Sequence, residues 1–161
     1  MSVTDTLTLP LDHAAIARIL PHRYPFLLVD KIIELEQDHR IVGIKNVTRS
    51  DPHLADRHAE RPVLPPTILI ETVAQVGAIM ILAKPENRNR LIFFMGIDWV
   101  RFRRPVYVGD VVVIEAIVKR LRGQMGVFEG AARVGGKLVA DGAMRFALGP
   151  DATGIWKRKG P

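Results

Sequence analysis

Two rhythms of apolar and polar positions run along this chain, one helical and one strand-like. The helical one is clearest in PTILIETVAQVGAIMILA, residues 66 to 83. Nearly every position there is apolar, and the exceptions Thr67, Glu71 and Gln75 fall at i, i+4 and i+8, which makes one narrow polar stripe on a helix. A helix that is apolar nearly all round is buried nearly all round. Pro66 suits its first turn, where no amide donor is needed, and Lys84, Pro85 and the polar ENRNR end it. The apolar run from Ile68 to Ala83 is shorter than the roughly 20 residues of a membrane span, and it contains Glu71 and Gln75. The pattern predicts a core helix and no membrane span.

The rest is mostly strand-like. A short amphipathic helix, LDHAAIARIL, has Asp12 near its start and stops at Pro21. FLLVDKIIELE and RIVGIKNV then read as strands joined by the turn EQDHR. Residues 50 to 66, with four prolines, read as an irregular loop. Beyond the long helix come LIFFMGIDWVRF, DVVVIEAIVKRL, MGVFEGAARV and KLVADGAMRFAL, the last two joined by Gly135-Gly136, a tight-hairpin signal. The order predicts an α+β fold, one curved antiparallel sheet wrapped round one long helix. At 161 residues the chain is expected to form a single domain, with a core from 9 to 148 and a loosely ordered basic tail from 149 to 161.

Charge and composition narrow the chemistry. Lys and Arg outnumber Asp and Glu by 23 to 17, a net charge of +6 that suits an anionic partner. There is no Cys, so disulfides and thiolate chemistry are excluded and a zinc site would need His and carboxylates alone. No HExxH spacing, Walker-type loop or GxGxxG is present, and no metal is expected. Only RFRRP and the tail KRK favour nucleic acid, with thin aromatic interleaving, so none is expected. The start, MSVTDTLTLPLDH, lacks the basic and apolar regions of a secretory signal, and a cytoplasmic protein is expected.

Glu71 is the one acid in the long helix. A carboxylate in apolar surroundings must be paired, hydrogen-bonded or protonated. Either it bonds Thr67, Gln75 or a partner subunit, or it is an acid facing a pocket, with desolvation favouring its protonated form. Of five histidines, His13 and His39 lie in polar stretches and read as surface residues, and His22 reads as part of the turn into the first strand. His53 and His58 lie in the loop before the helix, which could bring an imidazole to Glu71.

Several segments together resemble a known family. LPHRYPFLLVDKIIELE, IVGIKNVT, RPVLPPTILIETVAQ, GIDWVRFRRPVYVGD and GAARVGGKLVADGAMRFAL are similar, in order and spacing from about Leu9 to Leu148, to the bacterial 3-hydroxyacyl-[acyl-carrier-protein] dehydratases of type II fatty acid or polyketide synthesis. The resemblance implies a hot-dog fold and a homo- or hetero-dimer with a continuous sheet, often assembled as a trimer of dimers. It implies no cofactor, and a substrate carried on the phosphopantetheine of an acidic acyl carrier protein, which the basic charge suits. The implied reaction is loss of water from a 3-hydroxyacyl thioester to give a trans-2-enoyl thioester. A His removes the α-proton, a Glu on the central helix protonates the leaving hydroxyl, and amides at the helix start polarise the thioester oxygen. In the family the His comes from one chain and the Glu from the other.

Glu71 matches the family Glu, while the loop before it departs. The family motif reads roughly G-H-F-P-x-x-P-V-M-P-G, and residues 56 to 66 here read DRHAERPVLPP. Arg57 stands at the catalytic His position, and arginine stays protonated. His58 is one step along and is the candidate base of this loop. Pro66 replaces a Gly and removes one amide donor. The expected site is Glu71 and His58 as acid and base, with Thr67 and Gln75 toward the substrate. The alternatives are a subunit without its own His that works only in a hetero-oligomer with a homologous chain, an acyl thioesterase using Glu71, and a binding module that shelters an acyl chain.

Overall fold

A computed structural model describes residues 7 to 152. The elements in chain order are α1 (His13–Ile19), β1 (Lys31–Glu36), β2 (Arg40–Asn46), β3 (Val63–Leu64), α2 (Pro66–Leu82), β4 (Arg90–Phe102), β5 (Val106–Tyr107), β6 (Val111–Arg122), β7 (Met125–Val134) and β8 (Lys137–Asp151). Six strands form one antiparallel sheet in the order β1-β2-β6-β7-β8-β4. β3 and β5 form a separate two-stranded ribbon. The α+β architecture expected from the sequence is the one observed.

The long helix sits where its composition dictates. Leu69, Val73, Val76, Ile79 and Met80 of α2 are buried against the concave face of the sheet. The helix and the sheet meet closely enough to require glycine at the contact. A Cβ on Gly77 would lie 2.7 Å from the Phe128 ring, and one on Gly43 would lie 2.8 Å from Val76. Alternation along β6, β7 and β8 puts Val112, Ile114, Phe128, Met144 and Phe146 into the same core. At the β7–β8 turn Gly135 and Gly136 have φ of +54° and +76°, the left-handed pair that a two-residue hairpin needs. Asp12 caps α1, its Oδ1 accepting from the Ala15 amide at 2.8 Å.

One expected strand is shorter than its apolar pattern. FLLVDKIIELE is β-strand only from Lys31. Leu28 and Val29 are buried, as an apolar run should be. The backbone around Leu28, however, bonds to a side chain of α2 instead of a neighbouring strand. The Leu28 amide donates to Gln75 Oε1 at 3.0 Å, and Gln75 Nε2 donates to the Phe26 carbonyl at 2.8 Å.

The loop from 47 to 65 is anchored at its base. Lys45 Nζ and Asp51 Oδ2 form a buried ion pair at 3.0 Å, and Asp51 Oδ1 accepts from the His53 amide. The segment then makes an excursion and returns at Val63, whose carbonyl accepts from the Ala55 amide at 2.9 Å. The expected basic tail lies largely outside the described residues.

Candidate active site

Glu71 lies in the second turn of α2, on the side of the helix facing the segment from His22 to Phe26. Its nearest fixed partner is one turn on. Gln75 is buried, and its three polar contacts reach Leu28, Phe26 and Glu71. With its amide oxygen committed to the Leu28 amide, Nε2 is left to donate both to the Phe26 carbonyl and, at 2.9 Å, to Glu71 Oε1. Gln75 therefore holds the carboxylate and ties the His22–Phe26 segment to the helix.

That segment brings an imidazole to the acid. His22 Nε2 is 3.6 Å from Glu71 Oε1, with both side chains a little over a quarter exposed. His22 Nδ1 is buried and has no hydrogen-bond partner. Burial pushes the imidazole below its ordinary 6.5; Glu71 opposes this and Arg23 adds to it. His22 is therefore mainly neutral at pH 7. Phe26 packs near it, with ring centres 6.2 Å apart, and His53 meets Phe26 edge-on at 5.7 Å. His53 Nε2 is 2.7 Å from the Pro25 carbonyl, so this imidazole braces the turn that carries His22.

His22, Glu71 and Gln75 open on a cavity of about 310 Å³ whose remaining wall is apolar. Ala74 and Ala78 line the helix side, Phe93 and Phe94 the β4 side, and Phe128 and Phe146 the sheet floor. The polar groups gather at one end, as expected for a site that orients the head of a long apolar ligand. A recess of about 360 Å³ elsewhere is lined by Arg18, Arg23 and Arg90 but by no carboxylate or imidazole, so it offers no acid–base pair.

The other residues singled out in the sequence lie apart from this cavity within one chain. His58 is exposed on the loop before α2. Arg57 is exposed too, and its Nη2 donates to the Asp51 carbonyl at 3.3 Å. Thr67 is exposed in the first turn of α2, and Pro66 begins the helix without a side-chain cap. The Leu69 amide donates to the Pro65 carbonyl at 3.1 Å. Among the described residues, no cluster of three or more His, Asp or Glu could hold a metal ion. The sequence reading missed His22 as a site residue. It lies 49 positions from Glu71, and the only local hint was an imidazole immediately before an aromatic turn.

Comparison with known proteins places this geometry in a family. The sequence model of the FabA-like domain matches residues 20–143. A 3-hydroxyacyl-[acyl-carrier-protein] dehydratase FabZ of Geobacillus thermodenitrificans is 48% identical over 139 residues, covering 86% of this chain and 96% of that protein. The enzyme of the same name from Desulforamulus reducens is 49% identical over 139 residues, covering 86% and 98%. Among solved structures, the dehydratase heterocomplex ApeI:P from Xenorhabdus doucetiae superposes with a TM-score of 0.76 at 20% identity, covering 94% of this chain and 100% of the matched one, which supports the hot-dog fold. The chain belongs to the FabA-like family of hot-dog proteins and, within it, to the 3-hydroxyacyl-[acyl-carrier-protein] dehydratases.

Proposed function

We propose that this chain dehydrates carrier-bound 3-hydroxyacyl thioesters to trans-2-enoyl thioesters, with Glu71 giving the proton to the leaving hydroxyl. The observation that carries the reading is the helix carboxylate held by Gln75 at the polar end of an apolar cavity beside an imidazole. Elimination of water needs one group to take the α-proton and one to protonate the hydroxyl, and that end of the cavity gathers groups of both kinds. The first turn of α2 lies outside the cavity of its own chain, so its positive helix-dipole end would reach a thioester oxygen only from a partner chain. Pro66 supplies no amide there, so Thr67 N–H is the first donor available.

The partner is an acidic acyl carrier protein presenting the substrate on phosphopantetheine in the cytoplasm. Exposed Arg49, Arg57 and Arg61 on the loop before α2 suit such a surface. The chain pairs with a second hot-dog chain through β4. This 13-residue edge strand exposes Phe93, Phe94, Met95, Ile97, Trp99 and Phe102, a face that a soluble monomer rarely leaves open. Because Phe93 and Phe94 also line the cavity, a chain added at β4 would complete the wall of the site.

A second reading rests on Arg57. It stands where the family has its His, and His58 lies outside the cavity of its own chain, so the loop imidazole could meet a Glu71 only across a dimer. In that reading the chain works in a hetero-oligomer with a homologue that carries the loop His. Purified chain should hydrate a crotonyl or longer enoyl thioester if the first reading holds. Turnover that appears only after a homologous dehydratase chain is added supports the second.

A further inference from the structure

We infer that His22 is the catalytic base of this chain, acting in cis with Glu71 in place of the loop histidine that Arg57 replaces. The inference rests on the dehydratase reading above and names the group that completes it.

Three observations carry it. His22 is the imidazole that lines the Glu71 cavity, and its Nε2 is 3.6 Å from the carboxylate. That gap is too long for a strong hydrogen bond and short enough for a charge pair. Second, Nδ1 is buried without a partner. Burial beside Arg23 disfavours the imidazolium, so the ring rests neutral, and the tautomer that leaves Nε2 free to accept a proton carries its hydrogen on Nδ1. Third, Gln75 donates to Glu71 Oε1 and fixes the carboxyl group beside the imidazole.

The step balances within these two residues. His22 Nε2 takes the α-proton, and the electron pair of that C–H bond becomes the new C=C bond. The C–O bond at the β-carbon breaks as Glu71 protonates the departing oxygen, and water leaves. The residues are then imidazolium and carboxylate, each stabilising the other across 3.6 Å. A proton passing from Nε2 to Glu71 restores both. Among the described residues the groups facing His22 are Glu71 from α2, Arg23 from its own segment and the Phe26 ring, so no other carboxylate among them competes for the proton.

The test uses the full chain and the crotonyl thioester of pantetheine, with hydration followed by loss of the enoyl thioester absorbance. His22→Gln can still donate toward Glu71, but its amide is far too weak a base to take the α-proton. It should lower kcat by about 10²–10⁴-fold with KM nearly unchanged. His22→Ala should be equally slow, and added imidazole should restore at least about tenfold of the loss, which a merely structural role would not allow. His39→Ala, an exposed imidazole paired with Glu36, serves as the control and should match wild type. Turnover of a folded His22→Gln within about threefold of wild type, with Glu71→Gln inactive, overturns the inference and leaves the dehydratase reading standing. Loss of activity in His58→Ala with His22→Gln active also overturns it. A folded wild-type chain that turns nothing over overturns both.

Discussion

The two sides of the site differ in how they are built. On the helix side, Glu71 and Gln75 are fixed by a regular backbone and by bonds that leave Gln75 no spare hydrogen-bonding group. On the loop side, residues 56 to 66 carry Arg57, Ala59 and Pro66 in place of the family pattern, and His58 and Arg57 face solvent. The first side is a buried network in which a change at one atom orphans several others. The second is largely exposed chain held by a few separate bonds, among them Arg57 to the Asp51 carbonyl and Arg49 to the Ala59 carbonyl. Changes on such a loop cost little stability, and in the proposed reading the base that the loop lacks comes from elsewhere. In that reading the His22–Phe26 segment supplies it, and the Gln75 network that orients Glu71 also holds that segment.

The contrast can be broken most severely at the acid. Glu71→Gln keeps the shape of the side chain and should lower enoyl thioester turnover by about 10²–10⁴-fold, with a thermal midpoint close to wild type. Both readouts matter, since a large fall in the midpoint would make Glu71 a structural residue. Lys45→Met tests the anchor of the loop. It leaves Asp51 buried without its cation and should cost about 3–5 kcal/mol in a denaturant titration. Gln75→Leu tests the helix side. It orphans the Leu28 amide and the Phe26 carbonyl, each worth about 1–3 kcal/mol, and should lower the thermal midpoint and the turnover together. If turnover falls and the midpoint does not, Gln75 touches substrate instead of holding the segment.

Two smaller effects sharpen the comparison. Arg57→His with Pro66→Gly restores the family residues at two loop positions. It should raise turnover by about tenfold or more, because an amide donor near a developing oxyanion is typically worth about 10²-fold or more. No change would mean the loop follows a path on which neither residue reaches the substrate. The last effect is on pH. Burial lowers the His22 pKa, so below its ordinary 6.5 the unfolded chain binds a proton that the folded chain refuses. This part of the stability is present above 6.5 and is lost as pH falls through the folded value. Melting His22→Gln beside wild type from pH 7 downward should show a shallower acid decline in the variant.

Much of the fold was legible because its signals are local. The α2 pattern, the Asp12 cap and the Gly135-Gly136 turn each depend on residues within a few positions of one another, and each reads the same in structure as in sequence. The strand expected across Phe26–Asp30 failed for a non-local reason. An aliphatic run looks alike whether its amides bond a strand or the side chain of Gln75, 47 positions away. The site divides the same way. Glu71 stood out as a carboxylate in an apolar helix, whereas the approach of His22 depends on a chain path that no local spacing encodes. The exposed face of β4 was visible as LIFFMGIDWVRF, but its position at the sheet edge followed only from the strand order.

The central claim, that Glu71 drives reversible loss of water, is tested most directly by isotope exchange. A 3-hydroxyacyl thioester incubated with the purified chain in heavy-oxygen water should gain the heavy atom at its 3-hydroxyl, and Glu71→Gln should slow that gain by about 10²-fold or more. Release of free thiol with no label in the hydroxyl, or equal labelling by the wild type and Glu71→Gln, would contradict the account.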